Sequence, residues 1–261
     1  MSSLAAVIRT EEFNAPGPGD FNLPGILDSA VTKPMVLVVL SGVIAFVLFY
    51  AMSRKAAVVP GRLQFAGEYV YGFVRNAIAR DTIGGHDYAR FVPFLFAIFL
   101  FVLINNFYGV VPFIQFPTMS HIGYTTALAL ITWVVYNGVG IKKHGFGGYL
   151  KHVSVPPGIT GPILLLLVPL EFMSNVLVRP VTLALRLFAN MFAGHLLLIL
   201  FALGGQYILT EMSIAYAPVG IISWVLFVAV AFLEILIQFL QAYVFVLLNA
   251  MYISGAVSDD H

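Results

Sequence analysis

The chain has no cysteine, which excludes disulfides and thiolate metal centres but leaves the compartment undecided. Charge is scarce too: Asp, Glu, Lys and Arg make up 10% of the 261 residues, against about a quarter in soluble domains. A composition that is 60% hydrophobic cannot be a large soluble core and implies an all-α polytopic membrane protein. Soluble-type chemistry has no foothold. HExxH, GxSxG and GxxxxGK[ST] patterns are missing, and so is any Cys/His metal cluster, so neither cofactor nor metal is expected. No internal repeat or low-complexity block occurs, and no linker is long enough to separate domains. The first 33 residues also lack a signal peptide's basic start and apolar run, having Glu11, Glu12, Asp20 and Asp28 instead. They read as an exposed arm, kept irregular by Pro16, Gly17, Pro18 and Gly19.

What is present is a set of long apolar runs. Residues 34–52 are uncharged and just long enough to span, and Arg54, Lys55 and Arg62 follow at once. Over residues 63–80 the pattern changes. Leu63, Ala66, Val70, Phe73, Ala77 and Ile78 share one helical face, with Gln64, Glu68, Tyr71 and Arg75 on another. This is an amphipathic helix, lying in the membrane interface or against a soluble partner. Residues 91–113 span next, with Asn105 and Asn106 near the far end and Pro112 closing. Residues 122–141 span again, and Lys142, Lys143 and His144 lead into a Gly-rich link (Gly145, Gly147, Gly148) ending at Pro156 and Pro157. Two longer runs follow, 163–203 and 214–256, before the polar tail Asp259, Asp260 and His261.

Lys and Arg in the loops set the orientation. The links after the first span (Arg54, Lys55, Arg62, Arg75, Arg80, Arg90) and after the third (Lys142, Lys143, Lys151) are basic, which places both in the cytoplasm. The links after the second and fourth contain no Lys or Arg. Five spans satisfy every link, with the N-terminus outside and the C-terminus cytoplasmic. Each of the last two runs is about 60 Å long as a helix, twice the hydrocarbon thickness. Folding the first of them into a hairpin near Pro180 would carry Arg179 and Arg186 outside, against the positive-inside rule. Two long, tilted, antiparallel helices are the better reading, with Pro169 and Pro180 bending the first.

Arg186 lies in the middle of the run 163–203. A charge at that depth costs about 2.5–3.5 kcal/mol on insertion scales, so it is rarely kept without a function. In antiparallel helices, residues at one level have a constant sum of numbers. By that rule Arg186 and Gln241 share one tier, and His195 and Glu234 share another, displaced by roughly 10–14 Å. Thr182, Arg186 and Asn190 line one face, as do Glu234 and Gln241. A carboxylate and an imidazole together at membrane depth are the usual parts of a proton-access path. Arginine does not lose its proton, so Arg186 is suited to pairing with a carboxylate rather than to relaying. No acid of this chain is obviously dedicated to it, which implies a carboxylate from another subunit. The blander readings are snorkelling for Arg186, a backbone-satisfied core histidine for His195, and interhelical hydrogen bonding for Asn190 and Gln241. Glu171 and Arg179 read as structural, and His86, His121, His144 and His152 as loop residues.

The segments RPVTLALRLFANMFAGHL, Arg179 to Leu196, and AFLEILIQFLQAYVFVLLNAMYISGA, Ala231 to Ala256, resemble the subunit a family of the F-type ATP synthase membrane sector. The resemblance implies a stator subunit with two offset half-channels, carrying protons to and from carboxylates on a ring of c subunits. Arg186 would face that ring, His195 and Glu234 would serve the outer half-channel, and Asn190 and Gln241 would line the region near the arginine. Some members carry the acid and the histidine in the opposite order, which leaves the pair's chemistry intact. Ala184, Ala189, Ala193 and Gly194 would let the ring helices approach closely. The implied partners are the c ring, b-type peripheral stalk subunits and the lipid bilayer, with no nucleic acid and no small-molecule substrate beyond the coupling ion. The implied place is the cell membrane. The rival reading, a stand-alone ion transporter or channel, usually shows an inverted repeat and broken midplane helices, and the sequence shows neither.

Overall fold

A computed structural model describes residues 13, 15–21, 31–53, 61–84, 87–111, 114–155 and 163–258. Glu11, Glu12, Asp28, Arg54, Lys55, His86, Pro112, Pro156, Pro157 and the tail from Asp259 to His261 lie outside the described residues. Every regular element among those described is helical. They are α1 (Lys33–Ser53), α2 (Arg62–Phe73), α3 (Asp81–Ile83), α4 (Tyr88–Phe107), α5 (Ile122–Ser154), α6 (Leu164–Met173), α7 (Arg179–Thr210) and α8 (Ala217–Val257). Among the described residues, five stretches are long and apolar enough to cross a membrane: Lys33–Ser53, Tyr88–Phe107, Ile122–Ser154, Leu164–Thr210 and Ile214–Val257. The last two, of 47 and 44 residues, are the long pair expected from the sequence.

That pair is antiparallel. The Ser223 hydroxyl of α8 donates to the Phe201 carbonyl of α7 at 2.8 Å, and Asn190 of α7 donates to the Gln241 side chain of α8 at 2.7 Å. The core lies where α4, α5, α7 and α8 meet, around Leu95, Phe99, Leu187, Met191, Phe245 and Ile253. Helix α4 is central, with Leu95, Phe96, Phe99 and Val102 among its buried residues, whereas α1 buries only Pro34, Leu37 and Ser41. Exposed Val39, Phe46, Leu165, Leu166, Phe232 and Leu236 present the apolar outer surface that a bilayer requires. Within the bundle, Asn105 ties α1 to the α4–α5 link. Its amide donates to the Ser41 hydroxyl at 2.7 Å and its carbonyl accepts from Thr118 at 2.6 Å.

Three elements differ from the pattern read in the sequence. The first is the amphipathic segment, where α2 continues into α3 through a π-helical stretch, Val74–Arg80. Its buried positions are Gly67, Val74, Ile78 and Ala79, whereas Leu63, Ala66 and Ala77 stay exposed. A π turn takes more residues than an α turn, so it rotates the buried face away from a constant 3.6-residue stripe. Gly67 sits directly under Met52 of α1, where a Cβ would overlap that side chain.

The second is the Gly-rich link, which is helical. Helix α5 runs on to Ser154 and breaks only at Gly145, with φ 73° and ψ 164°. This backbone region is essentially restricted to glycine. The break lets residues 146–154 fold back, so that the Tyr149 ring covers Gly140 and its hydroxyl donates to Asn137 at 2.9 Å.

The third is the junction of α6 and α7, where a π-helical stretch, Ser174–Val178, lies between Pro169 and Pro180. Pro180 has no N–H, which leaves the Val176 carbonyl without its helical donor. The Trp133 indole of α5 supplies one at 2.8 Å, and the Tyr136 hydroxyl reaches the Asn175 carbonyl at 3.4 Å.

Candidate functional site

Helix α7 has two faces, and they divide its polar residues. Leu183, Leu187, Met191, His195 and Leu198 repeat every three or four residues and are buried. Val181, Thr182, Leu185, Arg186, Ala189, Asn190, Ala193 and Leu197 form the opposite, open stripe. Arg186 therefore projects from the middle of an exposed apolar surface. Among the described residues, no carboxylate lies within ion-pair distance of it. Of the four small residues expected on its face, Ala189 and Ala193 are there. Ala184 is packed into the core and Gly194 is turned toward α8.

Glu234 occupies the buried face of α8, only 3% exposed. Its carboxylate lies against Gly194, with Oε1 3.5 Å from where a Cβ on that glycine would stand. Glu234 and His195 are thus at one level, as the counting rule places them. At the other tier Gln241 accepts a hydrogen bond from Asn190, which is one helical turn from Arg186. Asn190 keeps part of its surface on the open stripe, so it links that stripe to the interior. His195 Nδ1 and Gln241 Nε2 are buried without a hydrogen-bond partner among the described residues, and the buried Glu234 carboxylate has only the Gln238 side chain beside it. Buried polar atoms of this sort are normally satisfied by ordered water.

Several contributors to this site carried no sequence signal. The His195 ring reaches the main chain of Gln115 in the α4–α5 link. Gln115 has φ 40°, an uncommon left-handed value for a residue other than glycine. Phe21, from the N-terminal segment, packs 4.9 Å from Phe192 and edge-on to His195 at 5.9 Å between ring centroids. His121 closes the same corner against Phe116. Burial pulls the His121 imidazole below its ordinary range, with a main-chain contact from Phe21 opposing. Lone aromatics and a loop carbonyl have no periodicity, so only the assembled packing reveals them.

At the opposite end of the long helices, a cavity of about 300 Å³ is lined by Tyr149, His152, Glu171, Asn175, Arg179 and Tyr252, among others. Asn175 donates to the Val153 carbonyl at 2.8 Å and to Glu171 at 3.2 Å, and the Arg179 guanidinium lies 5.2 Å over the Tyr252 ring. His152 contacts the Gly255 carbonyl at 2.8 Å and stacks on His144. Glu171 and Arg179 thus face a shared polar space.

The family model described as "ATP synthase A chain" matches residues 35–254. The chain belongs to the ATP synthase A chain family. It is 64% identical to an ATP synthase subunit a of Nocardioides sp., with all of both chains covered. It is 46% identical to one of Pseudarthrobacter chlorophenolicus, over 95% of each chain. A Streptomyces lividans subunit a is 43% identical over 88% of this chain and 80% of its own length. Membership makes this a multi-pass cell-membrane protein of the ATP synthase. The family's part there is ion translocation in the membrane sector.

Proposed function

We propose that this chain is the stator side of the rotary motor, carrying protons to and from c-ring carboxylates through two offset half-channels. The observation that carries the reading is Arg186, a fixed positive charge on an open apolar stripe with no acid beside it among the described residues. An ionised carboxyl brought past that stripe by a ring subunit would find its counter-charge there. Ala189 and Ala193 leave room for the ring helix to approach.

A proton enters from the outer side at the level of His195 and Glu234, passes inward toward Gln241 and Asn190, and neutralises the ring carboxylate. The neutral acid then faces lipid without a penalty of about 2.5–3.5 kcal/mol for a charged group, and the ring turns. After nearly a full turn the acid meets the inner half-channel, for which the cavity around Glu171, Asn175, Arg179 and Tyr252 provides polar lining. Arg186 draws the released carboxylate back to its ionised form and, being unable to give up a proton, separates the two half-channels. In this reading the N-terminus is outside, the C-terminus is cytoplasmic, and b-type stalk subunits hold the chain against the ring. Arg186→Ala is the test: ATP-driven proton pumping in inverted vesicles is expected to be lost, and undiminished pumping would sink the proposal.

A further inference from the structure

The geometry points to Gln238 as a further residue of the proton path: with Asn106 it holds a buried water site joining Glu234 to Gln241. This rests on the half-channel reading above and adds to it how a proton travels between the two tiers.

Glu234, Gln238 and Gln241 lie at i, i+4 and i+7 on the buried face of α8. Glu234 and Gln241 are separated by about 10 Å along the helix, too far for a direct hydrogen bond. Gln238 divides that gap: its side chain lies directly against the Glu234 carboxylate, and a rise of about 4.5 Å separates it from Gln241, within reach of one bridging water. It is fully buried, and beyond its contact with Glu234 neither its amide nitrogen nor its carbonyl oxygen has a hydrogen-bond partner among the described residues. Asn106 stands beside it from α4. The Asn106 amide donates to the main-chain carbonyl of Gln238 at 3.1 Å, while its own side-chain oxygen is buried and unpartnered. Gln238 Nε2 points at the loop after α4, 3.4 Å from where a Cβ on Gly109 would be.

Asn106, Glu234, Gln238 and Gln241 therefore all carry buried polar atoms with spare hydrogen-bonding capacity among the described residues. Were Gln238 there to fasten helices, its side chain would be bonded across the interface, and among the described residues it is not. Water resolves the conflict, because it can donate and accept at every one of these atoms. A glutamine amide suits the position chemically. It orients water on both sides, and it does not ionise, so it cannot trap the proton it helps to pass. Gln238 acts through that water and is a positioning residue.

The test uses the assembled ATP synthase in inverted vesicles. Gln238→Leu is expected to lower ATP-driven proton pumping roughly tenfold, the rate equivalent of losing one ordinary hydrogen bond. Gln238→Asn, which keeps the amide, should restore part of it. Unchanged pumping in Gln238→Leu, while Glu234→Gln abolishes pumping, would overturn the relay and leave the half-channel standing. Unchanged pumping in Glu234→Gln would overturn the half-channel itself. A second measurement does not depend on turnover. Since the chain has no cysteine, Gln238→Cys gives a single thiol, and its block by silver ion in the assembled complex is expected. A thiol that silver does not reach would overturn the water site.

Discussion

Arg186 and Glu234, a base and an acid, sit on neighbouring helices, and the fold keeps them on different faces. One stands on the open stripe of α7 and the other on the buried side of α8. A direct pair would neutralise both and leave nothing for a ring carboxylate. Gly194 sets how closely Glu234 can lie against α7. A Cβ there would make ordinary contact with the carboxylate at 3.5 Å, and anything larger would displace it. Gly194→Ala should therefore leave proton pumping near wild type. Gly194→Leu should reduce it by about 10²-fold, the cost of misplacing a reacting group by about 1 Å, with assembly retained; vesicle acidification measures both. The charged residues at this scale were legible in the sequence, because an ionisable group in an apolar run is conspicuous. Gln238 and Asn106 were not, since amides are common interhelical glue and only burial without a partner sets them apart.

Among elements, the deviations from regular helix are where the bundle gains its shape. The π-helical stretch before Pro180 leaves main-chain carbonyls that Trp133 and Tyr136 take up, locking α5 onto the start of α7. Gly145 turns the end of α5 back on itself and brings His152 to the wall of the polar cavity. Its backbone conformation costs a residue with a side chain on the order of 1–3 kcal/mol. Gly145→Ala should accordingly loosen residues 146–154 and speed tryptic cleavage at Lys151. Gly147→Ala, where a Cβ meets nothing within 4 Å, should not. That five helices are long and apolar enough to span was legible in the sequence, because length and apolarity suffice for that. It put the Gly-rich link outside the helix, because glycine's low helix propensity was overridden by the packing of Tyr149 on Gly140.

For the whole molecule, the central question is which end faces which compartment. The proposed orientation makes Ser213, in the α7–α8 link, external and Ser258, just past α8, cytoplasmic. In this cysteine-free chain, Ser213→Cys should react with an impermeant thiol reagent only in right-side-out vesicles. Ser258→Cys should react only in inverted ones; the reverse pattern would turn the half-channels around.

Apolarity by itself determined that this chain is a bundle of membrane helices, and the few charges within it marked the level of the site. The antiparallel counting rule set the register of the last two helices to within a turn, since helical rise is constant. Which face of each helix is inside was decided by the tertiary structure alone. In a soluble protein the polar face reveals the outside. Here lipid and core are equally apolar, so Leu185 on the surface and Leu187 in the core look alike in the sequence. Packing turned Arg186 outward, Glu234 and Gln238 inward, and Phe21 onto His195, because those contacts join segments far apart in the chain and follow no local period.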